Sequence, residues 1–558
     1  MTLAVLVLVL ALVLCSPGEK SGKASDFYVR ELPDVEPDVV LPEMHAGLLE
    51  AGTQSGLPEA SLFFWHIRSK IDTQTTIIWF NGGPGCSSMD GNFLEIGPLR
   101  FNDKGRLTNA PDGSWAEQAN LLFLDQPFGT GYSDPDGDVY SSSLEEAADA
   151  VVAFLNSYAD IFPEVAATDI YLAGESFAGQ YIPYIYQSLT RHPEVVQKIG
   201  AIKGLIMGNP WIDPSNQYLS YGPLIKNEGI IPQKDWAKLD ALQDNCMTAL
   251  SRPGGTDRIY VDECELIPQH ALQTHGDNSH CFNIYKYTSE SVYPMCGMEW
   301  PAEVPQMTSY LGRGDVQKAL NVNNGTEAET WKECSSAVHS HFSKSIQIPS
   351  VKLLPDILQE IPILLLIGDL DFICNGLGID RFVHNLVFNG HTGFEQKETI
   401  TSYGRFQNER NLCVAHVTNG SHMVPVDELL VSQKLVYSFV NASKGLDYTY
   451  DFDDHNSGNT NTTNSDDGKS SQSGNTQVEN RSYKKASIVA LVIIVVVLLV
   501  VLTAWLHEGK GLSPREIFHA AMHSNFRPAK TTRFEDISLD SVRRPLNGPI
   551  LEEDEFEV

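Results

Sequence analysis

Short apolar runs that stop at glycine-rich or acidic turns recur along most of the chain. Thr76-Ile77-Ile78-Trp79-Phe80 ends at Asn81-Gly82-Gly83-Pro84-Gly85, Leu121-Leu122-Phe123-Leu124 at Asp125, and Asp169-Ile170-Tyr171-Leu172-Ala173 at Gly174. Ile202 to Gly208, Ile363 to Gly368 and Leu412 to Val417 are further runs of strand length. Short segments apolar on both faces suit strands buried in a parallel sheet. Between them, Ser143 to Phe162 carries apolar residues at helical spacing with Glu145 and Glu146 in its first turn, and Gln180 to Leu189 can form a helix behind Gly179. Strands alternating with helices predict an α/β fold with a mostly parallel central sheet and helices on both faces. Ligands of such sheets bind beyond the carboxyl ends of the strands, so chemistry is expected in the residues directly after them. From about 213 to 348 the rhythm breaks; this stretch, with Cys246, Cys264, Cys281 and Cys296, reads as an insertion over the sheet, a lid.

Two longer apolar runs lie outside this body. Leu3 to Leu14 is too short to span a bilayer but fits the core of a signal peptide over about residues 1–24, although no Lys or Arg precedes it. A lipidated Cys15 is the lesser reading. Ala486 to Leu506 carries no charge and would extend about 30 Å as a helix, the thickness of a bilayer core. The two together predict a type I membrane protein: a lumenal body over 25–445, a polar stalk over 446–485 that is too poor in apolar residues to collapse, a single transmembrane helix over 486–506 and an acidic cytoplasmic tail over 507–558. The tail could carry a site for sorting adaptors. Sequons at Asn324, Asn419, Asn441, Asn461 and Asn480 become candidates for N-glycosylation in a lumenal setting; Asn419 is doubtful so near His422. Lys and Arg number 39 against 71 Asp and Glu, a net charge of −32, which argues against a nucleic-acid partner.

Three strand ends hold complementary chemistry. Gly174-Glu175-Ser176-Phe177-Ala178-Gly179 follows one strand and opens a helix, the setting of a nucleophile elbow, although Ala178 stands where the general pattern has Gly. A serine alcohol needs a base, and the base an orienting acid. Asp371 follows the strand ending at Gly368, and His422 follows the strand ending at Val417, in the chain order Ser, Asp, His. His416 and Asp369 are their nearest rivals; His416 lies inside its strand, where packing is the expected role.

The blocks Trp79 to Ser88, Gly174 to Gly179, Gly368 to Asn375 and Ser421 to Pro425 together resemble the serine carboxypeptidases, over roughly Asp26 to Gly445. The resemblance implies an α/β-hydrolase fold with a disulfide-containing lid, and needs no cofactor. It implies Ser176 as nucleophile, Asp371 as orienting acid, His422 as general base and the amides of Gly83 and Phe177 as the oxyanion hole; the family usually has Tyr at the Phe177 position. It also implies that Asn81, Gly82, Glu95 and Glu175 bind the substrate carboxylate. Two carboxyls packed together cannot both ionise cheaply, so one stays protonated and donates. Trp79, Cys374 and Met423 are expected near the site. Asp90 is expected beside the side chain of the departing residue, where an acid suits Lys or Arg. With the stalk, span and acidic tail, this resembles the fungal pheromone-processing, Lys/Arg-specific carboxypeptidases of the trans-Golgi network membrane. The expected partners are therefore peptides and precursors ending in Lys or Arg.

Nine cysteines are present, eight once Cys15 is removed. The resemblance favours Cys86 with Cys334, and Cys374 as a free thiol near the site; Cys413 reads as buried and free, and the pairing of the other four is open. The histidines are scattered and no Cys-x-x-Cys occurs, so no metal is expected. The alternatives are a serine carboxypeptidase-like acyltransferase or esterase, and a non-catalytic lumenal receptor on the same fold.

Overall fold

The computed structural model describes residues 22–52, 60–71, 73–133, 140–276, 279–322, 331–344 and 346–446. The expected signal peptide, the span, the tail, almost all of the stalk, and the sequons at Asn324, Asn461 and Asn480 lie outside the described residues. Among the described residues, no helix is long and apolar enough to cross a membrane.

Ten strands form one sheet: β1 (Met44–Glu50), β2 (Ser61–Ile67), β3 (Thr75–Phe80), β4 (Asn120–Leu124), β5 (Asp169–Glu175), β6 (Ile202–Gly208), β7 (Ile363–Gly368), β8 (Thr399–Ile400), β9 (Gly404–Glu409) and β10 (Leu412–Val417). Across the sheet the order is β1-β2-β4-β3-β5-β6-β7-β10-β9-β8. The strands from β4 through β10 in that order run parallel. Antiparallel strands finish both edges. This is the mostly parallel, helix-covered sheet of an α/β-hydrolase.

Strand pleating divides the apolar residues between two layers. Ile78, Phe80, Leu122, Leu124, Leu365 and Ile367 pack with helices α1 (Leu144–Ile161) and α2 (Ala178–Arg191). Their neighbours Ile77, Trp79, Leu121, Phe123, Leu364 and Leu366 pack on the opposite face. α1 begins where its sequence predicts: Ser143 Oγ accepts from the Glu146 amide at 3.1 Å.

The inserted stretch is more regular than its sequence suggests. It contains α3 (Pro214–Asn227), α4 (Trp236–Leu250) and α5 (Asp262–Thr274), then a hairpin of His280–Asn283 and Lys286–Val292. α3 starts at an Asp213 cap followed by Pro214. Its periodicity is blurred because it is buried on several sides, with Tyr218, Ser220, Tyr221, Gly222, Leu224 and Ile225 all covered. Cys246–Cys264 joins α4 to α5, and Cys281–Cys296 closes the hairpin. Cys86–Cys334 joins the loop after β3 to a segment 248 residues away. Cys374 and Cys413 are buried and form no disulfide. Beyond β7 come α6 (Gly376–Asn385) and, after β10, α7 (Leu429–Ser443), whose Val436 and Phe439 cover the second face.

Two glycines at adjacent strand ends are placed very differently. A Cβ at Gly174 would lie 2.1 Å from the Phe80 carbonyl oxygen, whereas one at Gly208 meets nothing nearer than 3.6 Å. Gly174→Ala must force β3 from β5 and is expected to lower unfolding free energy by about 3 kcal/mol or more. Gly208→Ala should stay within about 1 kcal/mol of the wild type. Denaturant titration of the two variants checks this.

Candidate active site

Between β5 and α2 the chain reverses within Ser176 and Phe177. Ser176 has φ 59°, in the left-handed region that costs a residue with a Cβ. The strain is held by hydrogen bonds on both sides. Its amide donates to the Gly208 carbonyl at 3.0 Å, and its carbonyl accepts from Gly179 at 2.9 Å and Trp211 at 2.8 Å. Small neighbours make the turn possible, since a Cβ on Gly179 would lie 2.6 Å from Pro210 Cβ. Ala178, in the position that departs from the general pattern, is fully buried and accommodated. Ser176 is the half-exposed tip of an otherwise buried turn.

His422 comes from the loop after β10 and is 3% exposed. Its Nδ1 lies 2.7 Å from Asp371 Oδ2 and its Nε2 3.1 Å from Glu175 Oε2. Burial works against a charge on the ring, but the carboxylates of Asp371 and Glu175 outweigh it and hold the ring above the usual histidine range. Asp371 is buried and accepts from the amides of Ile373 at 2.9 Å and Cys374 at 3.2 Å. Burial raises its carboxyl while His422 and those amides pull it down. The Cys374 thiol is pushed well up by burial and then by the charges of Asp371 and Glu175, with Ser176 acting against them. Oxygen, sulfur and nitrogen of Asp371, Cys374 and His422 all lie within 4.8 Å of one another. Of these three side chains, Asp371 and His422 already bond each other, and a thiol held neutral is a poor metal ligand. Asp371 and His422 thus meet at the ends of β7 and β10, and Ser176 directly follows Glu175, whose carboxylate lies against the same imidazole.

Two residues with parts in this cluster were not singled out from the sequence. Asn209, directly after β6, has φ 34° and donates from Nδ2 to Asp371 Oδ2 at 2.9 Å, while its Oδ1 accepts from Gly368 at 2.8 Å. Its position at a strand end was the available signal. Tyr285, from the inserted hairpin, accepts the His422 amide at its carbonyl, 2.8 Å, and its ring lies 5.0 Å from the imidazole. No local motif marks it.

The loop after β3 leans on the elbow. A Cβ on Gly82 would lie 2.5 Å from the Phe177 nitrogen and 2.8 Å from Ser176 Cβ. Only a glycine lets these backbones approach so closely. Among the described residues, neither the Gly83 nor the Phe177 amide donates a hydrogen bond, so both remain open to an oxyanion. Asp125 anchors this loop: its carboxylate accepts from Ser87 Oγ at 2.7 Å, Ser88 N at 2.8 Å and Tyr132 N at 3.1 Å. Burial pushes Asp125 up to about 7 against those three donors.

Asn81 is the hub of an acidic group. Its Oδ1 accepts from Trp79 Nε1 at 2.7 Å and Gly91 N at 3.0 Å. Its Nδ2 donates to Glu175 Oε1 at 3.0 Å and Glu95 Oε1 at 3.3 Å, and the Gly82 amide reaches Glu175 Oε1 at 3.2 Å. Glu95 is fully buried, and burial followed by the Glu175 charge raises it to about 8. Asp90 is 7% exposed, and its Oδ1 has no protein partner. Burial lifts it well above the carboxylate range, and the charges of Glu333, Glu175, Glu95 and Asp125 lift it further. Glu333, also missed from the sequence, is raised to about 7 by burial. It is brought here by the Cys86–Cys334 bond, beside which Ser87 N donates to the Glu333 carbonyl at 2.7 Å. Met423 follows His422 and is nearly buried. Asn419 is exposed and Asn441 half-buried.

Comparison with known proteins follows the same outline. The serine carboxypeptidase family model matches residues 33–442. The chain is 40% identical over 438 residues to pheromone-processing carboxypeptidase KEX1 of Tuber melanosporum, covering 75% of this chain and 69% of the relative. It is 41% identical over 443 residues to that of Fusarium vanettenii, covering 76% and 71%. The crystal structure of Kex1Δp, a prohormone-processing carboxypeptidase from Saccharomyces cerevisiae, superposes with a TM-score of 0.69 at 31% identity, covering 75% of this chain and 97% of that one. The chain belongs to the serine carboxypeptidase family, and it is a serine-type carboxypeptidase.

Proposed function

We propose that this enzyme removes C-terminal Lys and Arg from peptides and protein precursors through an acyl-enzyme on Ser176. The observation that carries the basic preference is the gathering of Asp90, Glu95, Glu175 and Glu333 beside the elbow. After burial, the neighbours that push Asp90 hardest are all carboxylates. A cationic side chain entering there would meet an unpartnered buried oxygen and relieve that repulsion.

The chemistry follows from the positions. In the unliganded site the imidazole sits between two carboxylates. When the substrate's α-carboxylate arrives, it takes up donors of this group: Glu95, neutral below about 8, and the Asn81 amide. It also displaces Glu175 from Nε2, which gives up its proton to solvent. Nε2 is left free to take the proton of Ser176 as its oxygen attacks the scissile carbonyl. Asp371, fixed by Asn209 and two amides, stabilises the returning imidazolium. The amides of Gly83 and Phe177 receive the oxyanion, each contributing about 3 kcal/mol. His422 then gives its proton to the leaving amine, and water repeats the sequence on the acyl-enzyme.

This reading includes the lumenal address: a cleaved leader over 1–24, a carboxypeptidase body over 25–445 with its lid over 213–348, a stalk, one span over 486–506 and a cytoplasmic tail that engages sorting adaptors, in the trans-Golgi network membrane. Exposed Asn419 and half-exposed Asn441 are the sequons that a lumenal body would present among the described residues.

The central experiment is C-terminal residue release by the purified lumenal body, without added acyl acceptor. Ser176→Ala and His422→Ala should each lower kcat by about 10⁴-fold or more; release at wild-type rates would refute the reading. Asp90→Ala should lower kcat/KM for C-terminal Lys by roughly 10- to 100-fold and leave C-terminal Leu nearly unchanged, as loss of one charge-assisted contact requires. Equal losses would remove Asp90 from specificity. The pH profile gives a third check. Glu95 is neutral below its raised value of about 8 and anionic above it. KM should therefore climb as pH passes through that range, because a further negative charge faces the substrate carboxylate, while kcat changes less. Glu95→Gln, a donor at every pH, should flatten the climb.

A further inference from the structure

Beside the Asp371–His422 pair stands a second histidine–aspartate pair. His416, in β10, is 2% exposed, and its Nδ1 lies 2.8 Å from Asp369 Oδ1. Its Nε2 is 3.2 Å from Asp380 Oδ1 on α6, at ion-pair distance. Arg405, its partner across the β9–β10 ladder, places Nη2 3.0 Å from the same Nδ1. Arg405 also binds Asp380 at 2.7 Å and Glu398 at 3.3 Å. The groups facing the ring are therefore Asp369 from the loop after β7, Asp380 from α6 and Arg405 from β9, with Glu398 behind the arginine.

Two arrangements compete at Nδ1. A protonated ring donates to Asp369 and faces Asp380 with its other nitrogen, but then repels Arg405. A neutral ring can accept from Arg405 at Nδ1, and it then has no proton there for Asp369. Burial disfavours the charged ring, yet Asp369 and Asp380 outweigh burial and Arg405, so it is held above the usual histidine range.

The place of this switch gives it a consequence. Asp369 opens the loop that carries Asp371, and β10 runs on into the loop that carries His422. The two loops are in contact: Asp369 N donates to Val417 O at 3.1 Å and Leu370 N to Gly420 O at 2.9 Å. At Gly368 even a Cβ would come 2.0 Å from the Ser421 carbonyl. The ring edge also abuts the start of α6, where a Cβ on Gly376 would lie 3.1 Å from His416 Cε1.

We propose that His416 is a positioning residue: as a cation it clips the Asp371 loop and α6 to the strand that leads into His422, and on losing its proton it exchanges Asp369 for Arg405 and loosens that register. Turnover is then coupled to pH through a buried group that never touches substrate. The inference rests on the reading of Asp371 and His422 as the catalytic pair.

The test compares kcat and KM of C-terminal Lys release across about pH 5 to 9 for the wild type and His416→Gln, with melting temperatures over the same range. The wild-type kcat should fall on the alkaline side, and this limb should be absent from His416→Gln. Below the ordinary histidine value of about 6.5 the variant's kcat should be roughly 3- to 10-fold lower at unchanged KM, since displacement of a catalytic group acts on turnover. The sign for stability follows from the raised value of the folded state. The ring's contribution is fully present below the unfolded value and is lost as pH rises through the folded one, so the melting difference should shrink towards alkaline pH. Retention of the alkaline kcat limb in His416→Gln, or an effect on KM instead of kcat, overturns the inference. If that variant does not fold, Asp380→Asn should move the limb to lower pH, and an unmoved limb overturns it equally. An active Ser176→Ala enzyme would instead sink the catalytic reading, and the pH dependence of melting would still report on the ring.

Discussion

Confined negative charge is what the rest of the site must accommodate. Asp371 and Glu175 are buried against a single imidazole, and Glu95, Asp90 and Glu333 extend the same group. Left alone, such a group would be costly, since each buried carboxylate loses its hydration. The protein answers with neutralisation and with directed donors. Glu95 and Asp90 are driven towards their neutral forms. Asn81, the Gly82 amide, Asn209 and the amides of Ile373 and Cys374 supply the hydrogen bonds that remain.

The sheet is why such distant residues can meet. β5, β6, β7 and β10 run parallel, so their carboxyl ends open on one edge, and Ser176, Asn209, Asp371 and His422 each lie shortly after one of those ends. The Gly82 loop leaves β3 on the same edge and lies against the elbow through a contact that a side chain would block. The anchoring of that loop by Asp125, at the end of β4, extends the same rule by one strand.

The parts of this arrangement that were legible in the sequence are those where one strand and its own turn carry the signal. Ile202 to Gly208, Ile363 to Gly368 and Leu412 to Val417 are strands over the spans that their apolar runs mark. The elbow is recognisable because left-handed φ at Ser176 needs small neighbours, and small neighbours are visible as letters. β1 and β2 were not marked, because the run Leu62 to Ile67 is interrupted by His66 and has no glycine-rich turn behind it. Asn209 is silent because its value lies in the register of β6 against β7, which sets its amide 2.9 Å from the Leu366 carbonyl. Tyr285 and Glu333 are silent for a stronger reason: each arrives from the inserted region, and only the folded chain puts them beside His422 and Asp90. His416 and His422 were separated by place alone, one inside β10 and the other beyond its end; pairing would not have separated them, since each has an aspartate partner.

The Cys86–Cys334 bond has an implication for where the enzyme can mature. One covalent link fastens both the turn that bears the Gly83 amide and the segment that bears Glu333. The placement of both is thereby tied to one oxidation event. A chain still in its dithiol form would lack the link that holds these two segments together, so the geometry of this corner is completed only where disulfides form and persist.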